Sequence, residues 1–323
     1  MGALRMISDK NSNSSDNGVD KNGVSFNHMT NEQLSQLIVP ESTSLSMTEL
    51  RNERSTKLDS MSVTDAIELM IGEESRNFAE IRKQIKTIET LIHRITHAFK
   101  NNGRLFYVGS GTSGRLGILD ASECPPTFSS PSYLVQGIIA GGNKAIHSAI
   151  EGAEDSIIDG INAIEDKDIT ENDVVIGIAA CGRTPYVWGA LYAAQNRKAY
   201  TCLLCFNPNI KPRIKLDLQL TVTTGPEVLT GSTRLKAGTA TKCILNMLTT
   251  LSMVQFGKCF ENLMIDLRPA NQKLRDRAVR IVLLLLGHDK QVPEVTVKQS
   301  LEKFNYDIKK TVIDLRKTLS PKA

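Results

Sequence analysis

The sequence predicts an α/β protein: a parallel sheet flanked by helices, with helical segments at both ends. Two observations carry this. Apolar, β-rich runs alternate with helical stretches between residues 105 and 222, as in a parallel sheet covered on both faces. Two of those runs end in Gly/Ser/Thr-rich loops that lead directly into helix-like segments, and ligands of such sheets sit at the carboxyl ends of strands.

Taken in order, residues 1–45 are rich in Asn, Ser, Asp and Gly with little apolar periodicity, and read as a disordered leader. Ser62-Val-Thr-Asp65 sets an N-cap with an acid three residues on, which starts a helix. A longer helical pattern covers Ser75 to Lys100. Ile81, Ile85, Ile88, Leu91, Ile92 and Ile95 recur there on one face, and Asn101-Asn-Gly103 stops the run. Residues 46–100 are thus an N-terminal helical segment. From Arg104 the period changes. Leu105–Val108, Leu134–Ile139, Val174–Ile178, Thr201–Phe206 and Leu218–Val222 read as strands, with Asn143–Glu165 and Pro185–Arg197 as helices between them. Lys236–Gln255 suits a buried helix. Residues 101–260 therefore form the ligand-binding domain. Residues 261–323 form a C-terminal helical segment, with helices expected over Asn271–Leu286 and Thr296–Leu319.

The first loop reads Gly109-Ser-Gly-Thr-Ser-Gly114, the second Ala180-Cys-Gly-Arg-Thr184. Small residues let backbone N–H groups face a ligand, and the hydroxyls of Ser110, Thr112, Ser113 and Thr184 stand beside them. A strand, such a loop and a helix N-terminus make an anion site, because unpaired amides and the helix dipole both favour negative charge. Two in one domain point to a phosphorylated small molecule. The first loop has no Lys after its last Gly, so it is not a P-loop. It matches G-x-G-x-x-G, but a dinucleotide site wants an acid about 20 residues on, and Thr127–Val135 holds no carboxylate. The competing reading is an ordinary strand-to-helix turn.

Bulk properties narrow the class. Hydrophobic residues make up 41% and charged residues 23%, as in a soluble globular protein. The net charge of +4 is spread along the chain without a basic block interleaved with aromatics, which disfavours nucleic acid. The longest apolar stretch, Ile281–Leu286, is too short to span a bilayer, and no signal-peptide core is present. Six cysteines without a secretory signal read as reduced thiols of a cytoplasmic protein. Cys202-Leu-Leu-Cys205 has CxxC spacing but lies in an apolar run, so strand alternation explains it better than a metal or redox site.

Two carboxylates stand out for chemistry. Glu123 lies in Asp120-Ala-Ser-Glu-Cys-Pro-Pro-Thr127, where the diproline fixes the backbone after it; Glu154 lies in Glu151-Gly-Ala-Glu-Asp155. Two carboxylates with separated pKa values can serve as general acid and general base, and both are expected to reach the strand ends. The alternative is that each is a surface glutamate. Thr230-Gly-Ser-Thr-Arg-Leu-Lys-Ala-Gly-Thr239 is a third hydroxyl-rich, basic cluster. Its Ser232 and Lys236 suit ligand contact and helix capping or solvation equally.

The motifs SGTSGRLGILDASECPPTF, IAGG, EGAED, VVIGIAACGRTPYV, GPEVLTGSTRLKAGTATK and NLMIDLRPANQKLRDRAVRI occur in order, after Thr48-Glu-Leu-Arg-Asn52 and Leu58-Asp59. Together, over residues 48 to 286, they resemble the N-acetylmuramic acid 6-phosphate etherase family. The resemblance implies a sugar isomerase (SIS) domain, a flavodoxin-like three-layer sandwich that binds a phosphosugar, in a cytoplasmic homodimer with sites near the subunit interface. It implies cleavage of the D-lactyl ether of N-acetylmuramic acid 6-phosphate to N-acetylglucosamine 6-phosphate and D-lactate, without metal or cofactor. Glu154 would abstract the C2 proton and Glu123 would protonate the departing lactate. Ser110, Thr112, Ser113, Cys181, Gly182, Arg183, Thr184, Glu227, Ser232 and Lys236 would bind substrate. The alternative is a non-catalytic phosphosugar-sensing regulator resembling the glucokinase regulatory protein. One departure matters: the family usually has serine where this chain has Cys181, and a thiol donates more weakly than a hydroxyl.

Overall fold

Five parallel strands form one sheet in the order β2-β1-β3-β4-β5, with β1 (Leu105–Gly109), β2 (Val135–Ile139), β3 (Val174–Ile178), β4 (Tyr200–Cys205) and β5 (Leu218–Thr221). The computed structural model describes residues 29–41, 46–267, 269, 271–287 and 292–319. The expected strands are all present within a residue or two. The chain leaves β1 toward β2 on one side and returns to β3 on the other, so the strand order reverses between β1 and β3. Crevices at that reversal are where open α/β sheets bind ligands.

Period-two alternation puts each strand into two cores. Leu105, Tyr107, Val174, Ile176, Cys202 and Leu204 face one layer; Phe106, Val108, Val175, Leu203 and Cys205 face the other. Cys202 and Cys205 therefore lie on opposite faces of β4, as strand alternation requires of residues three apart. Burial pushes both thiols up.

The first layer holds α3 (Ile85–Lys100), α4 (Gly111–Phe128) and α8 (Lys236–Gln255); α2 (Val63–Lys83) packs over α8. Ser62 accepts a bond from the Asp65 amide as the N-cap of α2, and the helical run expected to Lys100 breaks at Gln84. The second layer holds α1 (Asn31–Ile38), α6 (Ile157–Glu165) and α7 (Pro185–Asn196). Between β2 and α6 the chain forms only a short helix, α5 (Lys144–His147), and one 3-10 turn, not the continuous helix expected over Asn143–Glu165. Gly152, at φ +73°, interrupts it.

Helix α1 corrects the disordered leader expected over residues 1–45. Thr30 and Gln33 form a reciprocal capping box, and Leu34 and Ile38, one turn apart, are buried against the second layer. Two apolar residues at that spacing suffice when a core lies underneath. Residues 1–28 and 42–45 of that stretch lie outside the described residues.

The C-terminal helices α9 (Gln272–Leu286), α10 (Glu294–Lys303) and α11 (Ile308–Leu319) pack on one another around Val282, Val297, Leu301 and Ile308. The amphipathic segment Thr296–Leu319 divides between two helices at Phe304–Tyr306, where Asn305 and Tyr306 take positive φ. Among the described residues, no helix is long and apolar enough to cross a membrane.

Candidate active site

The crevice between the carboxyl ends of β1 and β3 holds a cavity of about 260 Å³. Ser110, Gly111, Thr112 and Ser113 line one part of it, and Ala180, Cys181 and Thr184 another. Glu154 joins them from the turn after α5. Thr233, Ala237, Gly238 and Thr241 come from the start of α8, and Glu49 comes from the N-terminal segment.

The first loop turns directly from β1 into α4 because its glycines permit close approach. A Cβ on Gly114 would lie 2.5 Å from Cγ1 of Ile139 and 2.8 Å from the Gly109 carbonyl oxygen. The amides of Gly111, Thr112 and Ser113 open α4 and have no intrahelical acceptor. Ser110 and Thr184 sit at the N-cap positions of α4 and α7, yet neither hydroxyl caps its helix. The Ser110 hydroxyl instead donates to Glu154 Oε2 at 3.0 Å. Both N-cap residues line the cavity. No Lys or Arg is among the described residues lining it, so an anion there meets hydroxyls, amides and the α4 dipole.

Six of the expected site residues meet in this cavity: Ser110, Thr112, Ser113, Glu154, Cys181 and Thr184. The other six lie outside its lining. Gly182 is buried behind the loop, where its carbonyl accepts from Trp188 Nε1 at 2.9 Å. Arg183 points to the far side of the loop and lines a separate cavity with Val39, Pro40, Glu41 and Arg213. Ser232 stands in a turn beside the lining residue Thr233.

Glu227 and Lys236 are structural neighbours of the cavity. Glu227 is fully buried and accepts from the amides of Lys236 and Ala237 at 2.9 and 3.0 Å, so it caps the first turn of α8. Burial pushes its carboxyl above the usual range, against those two bonds. Lys236, expected at the ligand or in solvent, is 1% exposed. Its Nζ donates to Glu73 Oε2 and to the Pro226 carbonyl, both at 2.9 Å. Glu73 comes from α2, 163 residues earlier, and also accepts from Arg54 and Asn52. Burial alone would raise the Glu73 carboxyl; bonds from Arg54, Lys236 and Asn52 overcome it and bring the pKa to about 2. No local pattern marks Glu73 as the partner of Lys236.

Glu123 is exposed on α4, twelve residues beyond Gly111. At 1.5 Å per residue that is about 18 Å along the helix axis from the cavity end. The expectation that both carboxylates reach the strand ends therefore fails for Glu123 within one chain. Asp120 and Cys124, beside it on the helix, are buried. Asp120 accepts from Tyr107, Asn246 and Thr249, which ties α4 to β1 and α8. Burial and then Asp120 push the Cys124 thiol up to about 12.

Glu49 is the charged residue of the cavity lining that sequence reasoning missed, alongside the uncharged Gly111, Ala180, Thr233, Ala237, Gly238 and Thr241. It stands in Thr48-Glu-Leu-Arg-Asn52, a stretch that carried the resemblance, but 61 positions before Ser110. Among the described residues, no group of three or more His, Cys, Asp or Glu is placed to hold a metal ion.

A family model described as the glucokinase regulatory protein N-terminal SIS domain matches residues 86–195. Proteins named N-acetylmuramic acid 6-phosphate etherase are more fully alike. That of Oceanobacillus iheyensis is 48% identical, covering 82% of this chain and 89% of its own. That of Francisella tularensis is 49% identical, covering 75% and 82%. That of Actinobacillus pleuropneumoniae is 45% identical, covering 78% and 83%. Among solved structures, a putative sugar-phosphate isomerase from Listeria monocytogenes aligns with 61% of this chain and 94% of its own, at 13% identity and a TM-score of 0.47. At nearly half identity over most of both chains, this chain belongs to the N-acetylmuramic acid 6-phosphate etherase family.

Proposed function

We propose that this protein cleaves the D-lactyl ether of N-acetylmuramic acid 6-phosphate, giving N-acetylglucosamine 6-phosphate and D-lactate. One observation carries the reading in this chain: Glu154 faces the same cavity as the hydroxyls and free amides at the start of α4. The phosphate would rest on those amides and on Ser110, Thr112 and Ser113. Glu154 would then stand over the sugar carbons.

In the open-chain substrate, C2 is α to the aldehyde and its proton is acidic. Glu154 takes that proton as general base. The electron pair forms the C2–C3 double bond as the C3–O bond breaks, and lactate leaves with a proton from Glu123. Water then adds: its hydroxide goes to C3 as Glu123 takes its proton, and Glu154 returns its proton to C2, which restores both carboxyl groups. The Ser110 hydroxyl holds the Glu154 carboxylate in place before the sugar binds.

Glu123 cannot act on its own chain's cavity from about 18 Å away along α4. We therefore read the active species as a homodimer in which Glu123 of one copy reaches the cavity of the other. Its exposure and the anchoring of α4 by Asp120 support that reading. A cytoplasmic setting is supported by the six free cysteines.

Incubation with N-acetylmuramic acid 6-phosphate should release D-lactate. The second reading, a non-catalytic phosphosugar sensor, has only the narrower support of the SIS-domain match over residues 86–195. Binding of N-acetylglucosamine 6-phosphate without any D-lactate release would select the sensor.

A further inference from the structure

We infer that Glu49 is a substrate-binding residue of this cavity: a carboxylate that accepts hydrogen bonds from the hydroxyl or amide N–H groups of the bound amino sugar. The inference rests on the reading of the cavity as a phosphosugar site and assigns a residue which that reading leaves out.

Glu49 and Glu154 are the two carboxylates among the described residues that line the cavity. Glu154 is bonded to Ser110. The Glu49 carboxylate has no hydrogen-bond or ion-pair partner among the described residues, so its acceptor capacity is open to a ligand. A phosphate would be repelled by it. The α4 N-terminus and its hydroxyls already provide for the anion. What remains for a carboxylate in such a site is the uncharged polar part of the ligand, whose O–H and N–H groups need acceptors.

The backbone on both sides of Glu49 is anchored. Thr48 is 1% exposed, and its hydroxyl lies 2.9 Å from that of Ser46. Asn52, 3% exposed, donates to Glu73 at 3.0 Å and to the Pro226 carbonyl at 3.3 Å. Lys236 bonds the same two groups, and the residues after it, Ala237 and Gly238, line the cavity. The strap that carries Glu49 is thus bolted to the cavity wall through a buried ion pair. The wall also leaves room for the carboxylate: a Cβ on Gly231, at φ +77°, would lie 3.1 Å from Glu49 Oε2. A side chain that served only solubility would need neither anchor nor clearance.

The test is titration of wild type, Glu49→Gln and Glu49→Ala with N-acetylglucosamine 6-phosphate and, separately, with inorganic phosphate. Glu49 is exposed, so both variants should melt with the wild type. The sugar phosphate should bind roughly tenfold to a hundredfold more weakly to both variants, the loss typical of a charge-assisted bond, with phosphate binding no weaker than in the wild type. Unchanged sugar-phosphate binding, or equal weakening of both ligands, would overturn the inference. Release of D-lactate by the wild type is scored independently. Selective loss in the variants without lactate release sinks the etherase reading alone; lactate release with unaltered variant binding sinks this inference alone.

Discussion

Ser110 and Glu154, 44 positions apart, meet at 3.0 Å across the cavity, hydroxyl to carboxylate. The contact joins the loop after β1 to the turn before α6. It makes one residue of the anion cradle a support for the proposed base. Glu154→Gln should therefore leave folding intact, since Glu154 is exposed, and abolish exchange of the substrate C2 proton with solvent deuterium. Loss of a general base costs on the order of 10²–10⁴ in rate. Near-normal exchange in the folded variant, followed by NMR, would remove Glu154 from the base role.

Glu123→Gln should slow lactate release more than C2 proton exchange, because leaving-group protonation matters only as the C3–O bond breaks. The distance along α4 adds a sharper test. If Glu123 acts on the partner copy's cavity, a heterodimer of Glu123→Gln and Glu154→Gln chains carries one intact site and one doubly altered site. Equal mixing, with half the dimers mixed, should restore about a quarter of wild-type lactate release from two preparations that are each strongly impaired in it, as two-fold symmetry dictates. Absence of any recovery after demonstrated subunit exchange would place Glu123 in its own chain's reaction or outside the chemistry.

The Glu73–Lys236 pair predicts an acid-sensitive stability. The folded pKa of Glu73, about 2, lies below its ordinary value of 4.5. Its stabilisation is therefore full above about pH 4.5 and is lost as pH falls toward 2, on the order of 3 kcal/mol in all. Asp120 and Glu227, raised by burial, act in the opposite direction. Comparison with Glu73→Gln isolates the pair. At pH 7 the variant should be less stable by about 3–5 kcal/mol, the cost of unpairing a buried charge. By pH 3 the gap should fall to about half or less. Denaturant midpoints measured at the two pH values give the answer, and a constant gap would contradict the assignment.

Cys181 lines the cavity. A hydroxyl donates to a phosphate oxygen better than a thiol does, and a bond to a charged group is worth about 1.5–3 kcal/mol when well made. A thiol in that place would itself donate weakly, so Cys181→Ser should tighten binding of N-acetylglucosamine 6-phosphate several-fold and leave the chemical step unchanged. Equal dissociation constants would assign phosphate binding to Ser110, Thr112, Ser113 and amides alone. Weaker binding would mean that the loop is built around the thiol.

Sequence alone determined the sheet, because buried parallel strands are short apolar runs and Gly/Ser/Thr-rich loops at their ends announce sharp turns into helices. It located Ser110, Thr112, Ser113, Cys181 and Thr184 for the same local reason, and the motif order identified the family. Local patterns could not show which way Lys236 turns, since its partner Glu73 lies 163 residues away and is buried with it. Glu227 likewise looks like a ligand residue until α8 is seen to begin on its carboxylate. Helix α1 escaped notice because three apolar residues in eight, one of them the exposed Leu37, make a weak period, and only the core beneath Leu34 and Ile38 stabilises it. Tertiary structure decided the roster of carboxylates. It brings Glu49 into the cavity from 61 positions away. It leaves Glu123 at the far end of α4, because a helix of fixed rise cannot bring both its ends to one site.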